Sequence, residues 1–357
     1  MQVQTEADSA HNAGGHRRTP SLELLAVQIQ VVERFEDIPL RREQWNALAS
    51  ANATNTIFQT FEWFESWWHS FGGHHRLWFV TLHADDRIVG FLPLVRAAGK
   101  SGQSRNLQVA GASHADYVDV VVEPQHAAAG IQALMEFLQK RADSWRELRI
   151  RNVQIGSPTL ALMKQQASAT GFEYVERGRV PCPLMQIAGR QEQVAAMLAK
   201  YSMRRSTNWF NARGVLGYCQ LQTDADIQAE LPAFFDQHVA RWRGTHISSR
   251  FTDPDQREFY TRLAKTMNQA GWLSFSKVTF DGEPLAYHFG FRFGEHLLWY
   301  KPSFDPRFRR HSPGVVLIRR LIEQAMPAPL GGQNSGANRG TLAARGYASY
   351  APATPTG

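Results

Sequence analysis

Only two of the 357 residues are cysteine, Cys182 and Cys219. Two such isolated thiols form neither a metal-ligand pattern nor a disulfide framework, which fits a reducing, cytoplasmic setting. No stretch approaches the roughly 18 consecutive apolar residues of a membrane span. The amino-terminal MQVQTEADSAHNAGGHRR lacks the apolar core of a signal peptide, so a soluble protein is expected. No HExxH or paired-cysteine motif occurs and the 13 histidines are scattered, so no metal site is expected. No nucleophile motif stands out either. The last stretch is poor in acid: residues 327–357 hold four Pro and six Gly but no Asp or Glu.

What is present is base and aromatic surface. Lys plus Arg number 39 against 32 Asp plus Glu, a net charge of +7. That balance favours anionic partners without choosing among phosphate esters, nucleic acid and membrane surfaces. Ten Trp, 21 Phe and nine Tyr fill cores or line pockets. The length predicts two domains.

Residues 1–20 are polar, without apolar periodicity, and read as disordered. From Leu25 a strand and a short helix follow. In FQTFEWFESWWHSFGG, Thr60 can cap a helix stopped at Gly72-Gly73, with Phe61, Phe64, Trp68 and Phe71 on one stripe; core packing accounts for it better than ligand stacking. Two alternating runs around Ala84-Asp85-Asp86-Arg87 make a hairpin. Strands are expected at 117–122, 148–155 and 171–176, and helices at 127–142 and from Pro158. Residues 191–213 read as one basic helix. Further helices cover 231–244 and 255–271, and strands cover 273–280, 285–293 and 296–300. A last helix begins at Pro313.

The hairpins VTLHADDRIVGFLPLV (80–95) and VTFDGEPLAYHFGF (278–291) stand in the same order of elements. The chain therefore reads as two α/β (α+β) lobes, each a mixed, mainly antiparallel sheet flanked by helices. The boundaries are 21–186 for the first lobe and 187–326 for the second. Residues 327–357 are expected to be a disordered or out-of-pattern tail, leaving the second lobe without its final strands.

The chemistry gathers near the last helix. In Arg309-Arg310-His311-Ser312-Pro313-Gly314-Val315, Ser312 suits the N-cap and Pro313 the first helical position. Gly314 admits a ligand to the backbone, and free N–H groups at a helix start attract phosphate oxygens. An ordinary capped helix is the alternative. The first lobe has Glu123-Pro124-Gln125-His126 at the same place, where an acid suits no phosphate. Lys200, Arg204 and Arg205, with Arg213 further on, form either a solvated face or a contact to an anionic donor or acceptor. His288 shares a strand face with Ala286, Gly290 and Arg292, which argues against burial and makes it a candidate base. Tyr300 is a candidate acid for a departing thiolate, or a core aromatic with a wet hydroxyl. Lys301 lies nearby, and Asp305-Pro306 makes a turn. Without a nucleophile motif, direct transfer is the simplest mechanism.

The first aromatic run, SSRFTDPDQREFY (248–260), DGEPLAYHFGFRFGEHLLWYKPSFDP (281–306) and HSPGVVLIRRLIEQA (311–325) resemble FemAB/CelD-type GNAT acyltransferases. That group is tied to cellulose and cell-envelope polysaccharide biosynthesis, and the resemblance covers about residues 25–325. It implies two GNAT-like lobes, an acyl-CoA donor with acetyl-CoA as the expected form, and an envelope- or polysaccharide-related acceptor bearing an amine or hydroxyl. Relatives in peptidoglycan cross-bridge synthesis use aminoacyl-tRNA, which gives the alternative donor and the only nucleic-acid partner. A non-catalytic module that binds sugar or protein is the third reading. The resemblance places the donor diphosphate at Ser312-Pro313-Gly314. Such proteins continue into a strand containing Asp-Phe and then a Tyr-Lys pair, and neither follows Ala325. A missing strand, a strand from another chain, or an altered reading frame near Ala325 would each explain that.

Overall fold

A computed structural model of the chain describes residues 26–99, 102–326 and 341–344. The first lobe runs β1 (Gln28–Val32), α1 (Arg42–Ala51), α2 (Phe61–Phe71), β2 (His75–Ala84), β3 (Arg87–Gly99), β4 (Gly102–Gln103), β5 (Asn106–Val109), β6 (Val121–Val122), α3 (Ala127–Lys140), β7 (Glu147–Arg149) and α4 (Pro158–Ala169). Its sheet has the order β1-β2-β3-β5-β7, with β4 and β6 also paired to β3. The β2–β3 turn forms because Asp85 and Asp86 both take positive φ, 48° and 61°, which short polar side chains tolerate.

The second lobe runs β8 (Leu184–Gln186), α5 (Gln191–Ala199), α6 (Tyr201–Asn211), β9 (Leu216–Leu221), α7 (Asp224–Trp242), α8 (Pro254–Gln269), β10 (Leu273–Phe280), β11 (Glu283–Phe293), β12 (His296–Phe304), α9 (Pro313–Ala325) and β13 (Thr341–Ala344). Its sheet order is β8-β13-β12-β11-β10-β9. Every pair is antiparallel except β12 with β13.

Several elements differ from the sequence reading. Residues 191–213 form two helices, because Lys200 takes an extended conformation (φ −60°, ψ 146°) between α5 and α6. Of the strand expected at 117–122 only Val121–Val122 pairs, and 171–176 is not a strand. Leu184–Gln186, placed with the first lobe, joins the second sheet. Within the expected tail, Thr341–Ala344 forms a strand between β12 and β8. Unpaired strand edges bind available backbone, and Thr-Leu-Ala-Ala is a short run without Gly or Pro. The rest of that tail and residues 1–20 lie outside the described residues.

One apolar core is continuous across both lobes. The aromatic-rich α2 caps its start with Thr60, whose side chain accepts from the Trp63 N–H. It buries Trp63, Phe64, Trp67 and Phe71. Trp63 meets Phe259 of α8 edge to face at 5.8 Å, and Ser66 bonds Thr266 across the interface at 3.0 Å. Phe71 also meets Phe259 and Phe58 meets Phe291 across the interface, while most ring contacts lie within one lobe. A second core lies between the other face of the second sheet and α5, α6 and α9.

A buried polar knot fixes the first lobe. The Asp119 carboxylate, 4% exposed, accepts from Thr54 Oγ1 at 2.8 Å, Ser157 Oγ at 2.5 Å, Thr159 Oγ1 and the Val120 N–H. Ser157 is also the N-cap of α4, so the helix start faces this anion. Removing the carboxylate takes the shared acceptor from three hydroxyls at once. Asp119→Ala is expected to cost about 3 kcal/mol or more, read as a lower urea midpoint, with Asp119→Asn losing less.

Candidate functional site

The loop after β12 begins with Asp305, which accepts from the Arg307 backbone N–H at 2.9 Å and pairs with its guanidinium. It caps a short 3-10 helix, Pro306–His311, so Arg309 and Arg310 stand on a helical turn rather than a loose loop. Both are exposed. Arg309 donates to the Arg241 carbonyl at 3.1 Å.

Ser312 departs from the expected N-cap. Its side chain makes no cap hydrogen bond, and its backbone is left-handed (φ 52°, ψ 60°). The chain must reverse from the 3-10 turn into α9, and the backbone does so itself, at a cost of about 1–2 kcal/mol for a residue with a Cβ. Pro313 is buried. A Cβ added at Gly314 would meet no atom within 4 Å. Pro313 has no N–H, so Gly314 supplies the first N–H of α9, and open space lies beside its Cα, which leaves room for an anion at this helix start. Val315 N–H is satisfied by the Ser312 carbonyl at 2.9 Å.

The corresponding start in the first lobe is closed. Glu123 is held by Arg87 through two bonds of 2.6 and 2.7 Å, and His126 and Ala127 are buried. Arg87 holds the Glu123 carboxyl below its usual range. Of these two helix starts, the one in the second lobe is open and has basic residues around it.

The strand before that start, β12, pairs in parallel with β13 over four residues, from His296 to Trp299. It runs on to Phe304, before the turn that carries Arg309.

His288 contradicts its expectation. It is fully buried, with Nε2 on the Leu298 carbonyl at 3.1 Å and its ring stacked on Trp299 at 5.0 Å. Burial pulls its pKa down to about 4. Alternation correctly groups residues on a face but does not say which face is covered, and here both are. Tyr300 lies in the interlobe core. Its hydroxyl donates to the His114 carbonyl at 2.6 Å, so the 2.9 Å contact with Tyr260 has Tyr260 as donor. Neither group is placed to exchange protons with an acceptor in solvent.

Lys200, Arg204 and Arg205 are exposed. The end of α5, just before Lys200, lies beside the middle of α9, where Arg319 donates to the Leu198 carbonyl at 2.8 Å. The end of α6 meets the opening of α9 instead: Trp209 stacks on His311 with centroids 3.5 Å apart. Sequence reasoning missed Trp209, because its partner is remote in sequence and no local pattern marks it.

Two buried imidazoles flank the interlobe end of β12. His114 contacts Gln256 at 2.9 Å and Ser113 at 3.0 Å. Burial, with Arg250 and Lys301 adding repulsion, lowers its pKa to about 3. His238 accepts from Trp242 Nε1 at Nε2, so its Nδ1 carries the proton bonded to Ser249 at 2.8 Å. Burial, then Lys301 and Arg241, lower its pKa to about 3.

The described fold is thus two-lobed α/β, with an exposed, basic turn leading into α9 of the second lobe. Residues 198–331 match the family described as acetyltransferase (GNAT) domain, which spans α6 to α9. Among solved structures, the crystal structure of FemX is similar over 88% of this chain and 90% of its own, with 10% identity and a TM-score of 0.58. A conserved protein of unknown function from Bacteroides thetaiotaomicron VPI-5482 covers the same shares, with 13% identity and a TM-score of 0.50. At these identities the likeness is one of fold. No curated protein matches the sequence. Among the described residues no helix is long and apolar enough to cross a membrane.

Proposed function

We propose that the second lobe moves an acyl group, acetyl in the simplest case, from acyl-CoA to an amine or hydroxyl of a cell-envelope- or polysaccharide-related acceptor. The observation that carries this reading is the open start of α9: clear space at Gly314, with Arg309 and Arg310 exposed on the preceding turn. The donor diphosphate would lie at the Gly314 N–H, with the arginines supplying charge. The acyl-bearing arm would run along β12.

Direct transfer asks the protein chiefly to position donor and acceptor and to polarise the thioester carbonyl through backbone N–H groups. Buried as they are, His288 and Tyr300 serve this reading best as supports of β12. Tyr300 could protonate a departing thiolate only by giving up its bond to the His114 carbonyl.

Calorimetric titration with acetyl-CoA tests the reading. Saturable one-to-one binding is expected, and free coenzyme A should bind comparably because the diphosphate carries the recognition. No heat from either ligand would remove it. The exposed cations of α6 favour a second reading, an aminoacyl-tRNA donor held in part by Lys200, Arg204 and Arg205. Charged tRNA binding that weakens steeply with salt, without acetyl-CoA binding, would select it.

A further inference from the structure

The turn that opens α9 holds a residue in a conformation it would not choose alone. Ser312 sits in the left-handed region with no side-chain cap bond. Such residues persist where the surroundings over-determine them. Within the turn, Ser312 N–H reaches the Arg309 carbonyl at a long 3.3 Å, which is weak restraint.

The firm restraint comes from α6. The His311 ring lies flat on Trp209, with centroids 3.5 Å apart and planes 10° from parallel. Aromatic pairs more often sit about 4.5–7 Å apart, offset or edge to face, so this overlap is nearly complete. Trp209 is anchored in turn. The Arg213 guanidinium stands 4.4 Å from its ring centroid. Its neighbour Phe210 is fully buried and packs edge to face on Phe280 at 5.1 Å and Phe308 at 5.5 Å. Phe308 lies on the same 3-10 turn as His311. The turn is thus gripped at two points by consecutive residues of one helix.

We infer that Trp209 is a positioning residue for the donor site: by clamping His311 it holds Ser312 left-handed and keeps the Gly314 N–H aimed at the bound diphosphate. This rests on the acyl-CoA reading of the same site. Trp209 need touch no ligand; it acts through His311.

The test is acetyl-CoA affinity of the full chain by calorimetry. Trp209→Ala and His311→Ala should each weaken binding about tenfold, while Trp209→Phe, which keeps a stacking ring, should stay near wild type. Adding Ser312→Gly to Trp209→Ala should restore most of the loss, because glycine takes the left-handed turn without strain. The His311 variant leaves α6 unaltered and so separates a lost clamp from a misfolded helix. Unchanged affinity in both alanine variants, or no rescue by glycine, overturns the proposal. If the wild type binds no acetyl-CoA, the donor reading fails and thermal unfolding decides the clamp separately. Ser312→Gly should then raise the Tm of the wild type, where the strain is held, more than that of Trp209→Ala, where the turn has relaxed. Equal increments overturn the clamp.

Discussion

Gly314→Glu is expected to remove acetyl-CoA binding while leaving the fold as stable as before, or more so. Nothing stands within 4 Å of a Cβ added there, so the substitution meets no steric cost. Replacing glycine in a helix gains up to about 1 kcal/mol, and an acid in the first turn gains about 0.3–1 kcal/mol more from the helix dipole. The same carboxylate would occupy the approach to the N–H proposed to hold the diphosphate. Two like charges about 4 Å apart repel by roughly 4 kcal/mol at the effective dielectric of a protein surface, or nearly a thousandfold in affinity. The pair of readings is discriminating, because few substitutions abolish binding while raising the melting temperature. Calorimetry beside thermal unfolding checks it. Binding unchanged in Gly314→Glu would mean the donor lies elsewhere.

The second large effect is loss of stability in mild acid. His114, His238 and His288 are buried and neutral, with pKa values near 3, 3 and 4 against 6.5 for the ordinary group. Below about pH 6.5 the unfolded chain binds protons that the folded chain refuses. Stability is therefore complete above that pH, declines through the window from 6.5 to about 3, and levels off only when the folded groups titrate. Each site contributes up to about 1.4 kcal/mol per pH unit, so the three together reach about 4 kcal/mol per unit. The cations around them, Arg250, Lys301, Arg241 and Arg292, act in the same direction. Urea midpoints measured from pH 7.5 to 5 should fall steeply, and His288→Met should remove about one proton from the slope. A midpoint that stays flat to pH 5 would contradict the burial assigned to these rings.

Local pattern made much of the fold readable. The two hairpins, the capped α2 and the helix starting at Pro313 all follow from turn residues and periodicity, and the duplicated order of elements exposed the two lobes. Pairing was not readable. Strand β13 forms from Thr-Leu-Ala-Ala because the space between β12 and β8 needs backbone partners, a demand set by residues more than forty positions away. Strands expected at 148–155 and 171–176 shrank or vanished because period-two patterning does not guarantee a neighbour to pair with.

The candidate site divides the same way. The exposure of Arg309 and Arg310 and the open space at Gly314 agree with the sequence pattern, because a helix start is a local event. The role of Ser312 was half legible: the reversal into α9 is there, but through left-handed backbone rather than a side-chain cap. His288 misled because Gly290 and Arg292 beside it looked like a wet face, whereas α9 covers that face of the sheet. Tyr300 could not be placed, since its partners His114 and Tyr260 come from other elements. Trp209 was invisible for the same reason, although its ring centroid lies only 3.5 Å from that of His311.

A crystal structure of the chain with bound coenzyme A tests the central claim most directly. The account predicts diphosphate oxygens within hydrogen-bond distance of the Gly314 N–H, with Arg309 or Arg310 turned toward them. Density for the diphosphate at the first-lobe helix beginning Ala127, or anywhere away from the opening of α9, would contradict it.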